Sequence, residues 1–258
     1  MPDTHAPAAS PSHPPGSPTV LALLLLAVVS PLNLEKSCNA GNAGDWLQFG
    51  IRIHDGIGVR RDPARAADLF RKACKGNNQD GCADDAFALA VGEGQAPNPR
   101  TAIPKLEKMC KQGQARACGN LGALFMRGLG GPQDALRGEK LLEDACNKRD
   151  ARACSNLATL AYRAGDAERA EQLAEAADDL GDPVGYAHLG DLYARTNDTV
   201  RAIVYFKHAC EAGMAHGCAG HGFLLLESGV DEKKGRELLQ RGCDGGETQA
   251  CDALRNPK

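Results

Sequence analysis

Cysteines recur along this chain in couples spaced Cys-x7-Cys: Cys74 with Cys82, Cys110 with Cys118, Cys146 with Cys154, Cys210 with Cys218, and Cys243 with Cys251. First members fall at 74, 110 and 146, then at 210 and 243, which leaves an empty slot near 178. There the segment ADDLGDPVGYAHLG carries Asp178 and Tyr186 at the two cysteine places. Both cysteines are lost together, as bonded partners would be. The chain is therefore expected to be a tandem array stapled once per repeat, each unit packing only on its neighbours. Reduced thiols holding zinc are the alternative. Structural zinc takes four ligands, usually from short Cys-x2-4-Cys or Cys/His clusters. Couples with a gap of seven offer two at a time, so disulfides and an oxidising compartment are the favoured reading.

The charge balance narrows the partners. With 30 basic and 33 acidic residues the net charge is −3, too little field to gather nucleic acid, and none is expected as a partner. Aromatics make up only 4% of the chain, which suits closely packed small-residue helices.

Residues 1–34 are read as a leader with a Pro/Ser-rich start, and residues 35–258 as the repeat array, about six units long. Val20–Val29 is a ten-residue apolar run, short for a bilayer span and of the right length for a signal-peptide core. No Lys or Arg precedes it, which counts against that reading, whereas cleavage after Ala40 or Ala43 would satisfy the small-residue rule. Export to the periplasm or the exterior is expected, with membrane tethering if the leader is kept. Cys38 stands 36 residues before Cys74, in a first-cysteine slot whose partner place holds Trp46, the sole tryptophan. It reads as a decayed half-staple.

Each unit is long enough for two helices: helix A begins near a second cysteine and helix B ends at the next first cysteine. Helix A carries Leu121-Gly122, Leu157-Ala158 and Leu189-Gly190 at matching places, followed four residues on by Phe125, Ala161 and Tyr193. That spacing marks one buried helical stripe. Helix B carries Phe70, Leu106, Leu142, Ala174, Phe206 and Leu239 four residues before the cysteine place. Eight before it stand the small residues Ala66, Ala102, Gly138, Ala170, Ala202 and Gly235. Large knobs over small seats are core packing. The expected fold is all-α, a right-handed α/α helical-repeat solenoid of tetratricopeptide-like superhelix type with one disulfide per repeat. The unstapled unit of Asp178 and Tyr186 is where such a solenoid is expected to open first.

The phrases LGALFMRGLGG (Leu121–Gly131), FGIRIHDGIGVRRDPARAADLFRKAC (Phe49–Cys74) and LGDLYARTNDTVRAIVYFKHAC (Leu189–Cys210) resemble the Sel-one-like repeat family. The cysteine couples make the chain similar to the Helicobacter cysteine-rich protein type. Asp85 and His221 depart from the pattern, standing in the leucine slot.

Two function classes follow. In the first, stacked A helices line a concave groove that holds a peptide or protein, and the chain works as a monomer. Two residues after the second cysteine place, the row reads Gln48, Asp84, Asn120, Asn156, His188 and Gly220. Asn120, Asn156 and His188 are the candidate partner-binding residues; capping or solvated polar side chains are the plainer reading. The second class, implied by the resemblance alone, is binding or slow hydrolysis of a β-lactam or a peptidoglycan-related small molecule. No Ser has a Lys three residues on, so the serine β-lactamase motif is missing. His208, His216 and His221 form the only dense histidine group, and ordinary surface or core histidines are expected there. No catalytic or metal-ligating residue is assigned, and no cofactor is expected.

Overall fold

The computed structural model describes residues 36, 38, 41–129 and 134–255, and folds them into thirteen α-helices. The A helices are α1 (Ala43–Asp55), α3 (Gln79–Val91), α5 (Ala115–Met126), α7 (Ala151–Arg163), α9 (Val184–Arg195), α11 (Ala215–Ser228) and α13 (Thr248–Arg255). The B helices are α2 (Pro63–Lys75), α4 (Pro99–Lys111), α6 (Ala135–Asn147), α8 (Ala167–Asp179), α10 (Thr199–Glu211) and α12 (Glu232–Asp244). They make six A/B pairs and a final A helix. The leader (residues 1–34) lies outside the described residues, and so does part of the loop between α5 and α6.

One turn, repeated six times, sets the architecture. Three residues after each first-cysteine place the backbone is left-handed: Asn77, Gly113, Arg149, Gly181, Gly213 and Gly246. The next residue's N–H then reaches back five positions, as in Asn78 N to Ala73 O at 3.0 Å and Asp182 N to Ala177 O at 2.9 Å. This is a Schellman closure, and it reverses helix B into the following helix A.

The turn brings the two cysteines of each couple together across the helix junction. Cys74 is bonded to Cys82 with the Cα atoms 4.3 Å apart, and Cys110 to Cys118 at 4.7 Å. Cys146 is bonded to Cys154 at 4.9 Å, Cys210 to Cys218 at 4.5 Å, and Cys243 to Cys251 at 4.7 Å. Each first cysteine lies in the last turn of a helix B and each second cysteine in the first turn of the next helix A. Pairing is therefore always with the nearest cysteine and never between repeats. Cys118, Cys154 and Cys218 are buried in the core, whereas Cys82 and Cys251 are half-buried. The unit of Asp178 and Tyr186 makes the same turn without a bond.

Every helix B in turn opens on an Asp or Asn cap. Asp62, Asn98, Asp134, Asp166, Asp198 and Asp231 each accept the backbone N–H three residues on, at 2.9–3.1 Å.

The predicted knobs and seats form the core. Phe70, Leu106, Leu142, Ala174, Phe206 and Leu239 are buried, as are Ala66, Ala102, Ala170 and Ala202. Gly138 of α6 faces Gly122 of α5 so closely that a Cβ on Gly122 would stand 2.8 Å from the Gly138 carbonyl. At Gly190 of α9 an added Cβ would stand 2.5 Å from the Phe206 ring. Gly190→Ala is therefore expected to cost about 1–3 kcal/mol through overpacking. The measurement is a urea melt, with a lower midpoint at unchanged slope; an unchanged midpoint would mean that Phe206 repacks freely.

Aromatic packing occupies the unstapled unit. Tyr162, Tyr186, Tyr193 and Tyr205 are all the tyrosines of the chain, and they form one cluster. Tyr186, in a cysteine place, lies against Tyr205 at 5.9 Å and His208 at 5.3 Å between centroids. Trp46, the other substitute, donates its indole N–H to the Cys38 carbonyl at 2.9 Å. The two departures from the leucine slot are half-buried polar residues. Asp85 sits 3.6 Å from Arg71, and burial pushes its pKa up; burial pushes that of His221 down.

A contact between distant repeats bounds the concave side. The loop after α1 turns at Gly56, φ 72°, and sends Ile57 against Met214 in an isolated antiparallel bridge. Gly58 N donates to Gly213 O at 2.8 Å. Ile57 is buried with Ala187, Ala209 and Met214. The first repeat is thus clasped to the junction of α10 and α11.

Candidate functional site

Residues four apart on a helix share a face. In each A helix that couples the place two after the second cysteine to the place two before it. The pairs are Asp80 with Asp84, Arg116 with Asn120, Arg152 with Asn156, Val184 with His188, and His216 with Gly220. The bonded second cysteines Cys82, Cys118, Cys154 and Cys218 stand midway between the two members of their pairs. Each staple thus fixes the helix turn that presents both rows. Successive A helices lie side by side, and Arg152, Val184 and His216 of one row with Asn120, Asn156 and His188 of the other line a cavity of about 390 Å³. Its walls come from the A helices and their adjoining loops, without a helix B residue. Asn120, Asn156 and His188 all line it. Their circumstances differ. Asn120 is buried and donates its Nδ2 to Asp84 Oδ1 at 2.9 Å. Asn156 is half-buried, and its side chain makes no hydrogen bond among the described residues. His188 Nδ1 lies 3.1 Å from Thr159 Oγ1, and burial lowers its pKa, keeping the ring neutral at ordinary pH.

The row of Arg116, Arg152 and His216 was not singled out from the sequence, although its four-residue offset from the asparagine row could have revealed it. Arg116 bridges Asp84 and Asp150, 3.3 Å from each carboxylate. Asp150 also caps α7, accepting the Ala153 N–H at 2.9 Å. Arg152 donates to Asp55 at the end of α1 and stands 3.3 Å from His54 Nδ1. His54 in turn touches Asp55 through Nδ1 at 2.6 Å and Glu93 through Nε2 at 3.2 Å. The result is two ionic clusters, one around Arg116 and one around Arg152, close enough for their charges to act on one another.

Burial pushes the Asp55 carboxyl up, but Arg152 and His54 overcome it, and the net shift is below the usual carboxylate range. Asp182 shows the opposite balance: burial dominates, Arg152 offsets it only partly, and the pKa rises. For His54, burial disfavours the cation, yet hydrogen bonds to Asp55 and Glu93 prevail and raise its pKa. Across the cavity, His216 Nε2 lies 3.0 Å from both Asp191 carboxylate oxygens, and its Nδ1 lies 3.8 Å from Glu247. These partners push it up to about 10, so it is a cation at neutral pH.

The histidine group singled out in the sequence is dispersed. His208 packs on Tyr186, His216 faces the cavity, and His221 is half-buried in α11. Among the described residues no three His, Cys, Asp or Glu side chains come together to hold a metal ion, and no helix is long and apolar enough to cross a membrane. Five disulfides point to an oxidising, extracytoplasmic environment.

Comparison with known proteins places the fold. Among solved structures, similarity extends to a protective antigen of uropathogenic Escherichia coli strains that displays an SLR fold. Identity is 21% and the TM-score 0.52, over 88% of this chain and 51% of the antigen, so the chain spans about half of that relative. A Sel1 repeat protein from Oxalobacter formigenes is similar at 22% identity and TM-score 0.51, over 89% and 93% of the two chains. An immunity protein from Pseudomonas aeruginosa is similar at 17% identity and TM-score 0.56, over 80% and 83%. At such identities the likeness speaks for the fold alone. No curated protein sequence matches. The Sel1 repeat matches residues 49–78, 115–150, 174–214 and 216–247, more than half of the chain. Together with the helix pairs and their fixed turns, this establishes that the chain belongs to the Sel1 repeat family.

Proposed function

We propose that the protein is an exported, disulfide-stapled scaffold that binds a short peptide segment of a partner in the cavity on its concave face. The observation that carries this reading is one cavity lined by polar members of both rows, Arg152 and His216 with Asn120, Asn156 and His188. Repeats arrange these residues at regular intervals, as recognition of a backbone requires. The volume of about 390 Å³ lies in the ~300–1,000 Å³ range of small-ligand pockets. It suits a few residues rather than a long helix, and the Ile57–Met214 clasp limits the length further. Asn156 and His188 are the partner-facing members of the row, whereas Asn120 anchors Asp84. Export fits the disulfides. Leader removal after Ala40 would keep Asn42, whose side chain caps α1 by accepting from Gly44 N at 2.8 Å; removal after Ala43 would not.

The test is fluorescence polarisation with a library of labelled tri- and tetrapeptides on the oxidised protein. Asn156→Ala and His188→Ala are each expected to weaken the selected peptide about fivefold to tenfold, one lost hydrogen bond apiece. Thermal unfolding of Asn156→Ala should stay unchanged; His188→Ala also gives up the Thr159 contact, so its affinity is read at a temperature where circular dichroism shows it folded. Saturable binding indifferent to both substitutions, or no binding at all, would sink the reading.

A second reading is β-lactam binding or slow cleavage, favoured by one observation. Ser155 Oγ is buried in the cavity wall without a hydrogen-bond partner. Against it, no base is hydrogen-bonded to that hydroxyl. Turnover of a chromogenic β-lactam that vanishes in Ser155→Ala would promote this reading.

A further inference from the structure

We infer that the ligand of this cavity carries a primary ammonium group, and that Glu93 receives it. The inference rests on the peptide-binding reading above and names the chemistry of one end of the peptide. Among the described residues, two buried side-chain polar atoms lack a hydrogen-bond partner: Glu93 Oε2 and Ser155 Oγ. Both residues line the same cavity. Buried polar atoms are nearly always bonded, and leaving one unmet is costly. Two such atoms on one cavity mark the place where a ligand completes the bonding.

The chemistry of Glu93 selects the ligand. Its Oε1 faces His54 Nε2 at 3.2 Å, while the other imidazole nitrogen is held by Asp55 at 2.6 Å. With both nitrogens engaged, His54 has nothing left for Oε2. One free carboxylate oxygen suits a compact ammonium better than a guanidinium, whose fork seeks two. A divalent cation would need further anionic or imidazole ligands, and no three such side chains converge among the described residues.

The charge beside that oxygen is consistent with this choice: Asp55 and Glu93 both line the cavity and flank His54 at 2.6 Å and 3.2 Å.

The ammonium could come from an amino terminus or a lysine side chain, and titration calorimetry separates the two. The probes are Ala-Ala-Ala with a free amino group, its N-acetylated form, and N-acetyl-Lys-Ala-Ala. The free amine is expected to bind about tenfold tighter than the acetylated peptide. That gap should close in Glu93→Gln, which keeps an acceptor for His54. Recovery of affinity by the acetylated lysine peptide would assign a side-chain ammonium; no recovery would assign the amino terminus. Equal binding of all three peptides to the wild type overturns the inference, whether or not Glu93→Gln folds, and leaves the peptide-binding reading standing. Binding by none of the three overturns both.

Discussion

Replacing Arg152 with methionine is expected to remove about 3–5 kcal/mol of folding stability at pH 7, the usual cost of stranding a buried charge. Arg152 donates to Asp55, 97 residues away in sequence, and stands beside His54. It is also the cation that partly offsets the burial of Asp182. Methionine fills similar volume but leaves these carboxylates unmatched. The sign of the pH dependence then reverses. In the wild type the Asp55 pKa lies below its unfolded value. Its contribution is therefore present above the unfolded pKa and lost as pH falls through the depressed one. Without Arg152, burial governs Asp55 as it already governs Asp182, and the folded pKa values rise above the unfolded ones. The folded variant then binds more protons than the unfolded chain, so its stability grows as pH falls from 7 towards 5. Urea melts at both pH values check this. The deficit should shrink at pH 5, and Arg152→Met combined with Asp55→Asn should cost less than Arg152→Met alone. A deficit independent of pH, with no relief in the double variant, would mean that Arg152 acts through packing.

How much of this was legible in the sequence depends on the range of each interaction. The staples, the turns and the knob-and-seat core are local, repeated features, so Phe70, Leu106 and Leu142 announce themselves by register alone. The asparagine row is legible for the same reason, since helical period puts Asn120 and Asn156 on the face shared by neighbouring A helices. Arg116 and Arg152 stand four residues earlier on that face and carry the same signal. Their partners are another matter. Asp55 meets Arg152 because the superhelix curls, and Ile57 meets Met214 across the same gap. Curvature accumulates from small rotations at each repeat interface, and no local pattern encodes its sum. The one hint is an apolar residue, Ile57, held between two glycines in the loop after α1. The tyrosine cluster shows the converse: Tyr186 was visible as a departure, but its stacking on Tyr205 depends on how two helices meet.

Full reduction of the five disulfides is expected to melt the stapled repeats before the tyrosine-packed centre. Each bond closes a loop between residues eight apart, for about 2–3 kcal/mol in the chain-entropy model. Losing five of them removes stabilisation comparable with the ~5–15 kcal/mol that holds a typical domain together. The losses fall unevenly. The junction of α8 and α9 has no bond to lose, and around it Tyr193 stacks on Tyr205 at 5.5 Å and meets Tyr162 edge-on at 5.0 Å. Aromatic pairs of this kind contribute about 0.5–1.5 kcal/mol each beyond their burial, and reducing agents leave them untouched. In a solenoid, stability is a sum of repeat and interface contributions, so the centre should outlast the ends. The chain carries its own reporters: Trp46 in the first repeat and all four tyrosines in the middle. In the oxidised protein, where every junction but that of α8 and α9 is stapled, the tyrosine near-ultraviolet dichroism should be lost no later in urea than the tryptophan signal. After reduction the tryptophan transition should move to markedly lower urea, with the tyrosine signal persisting beyond it. If the two probes coincide after reduction, the clasp at Ile57 and Met214 couples the first repeat to the centre strongly enough to make unfolding cooperative, and the staples are not what divides the array.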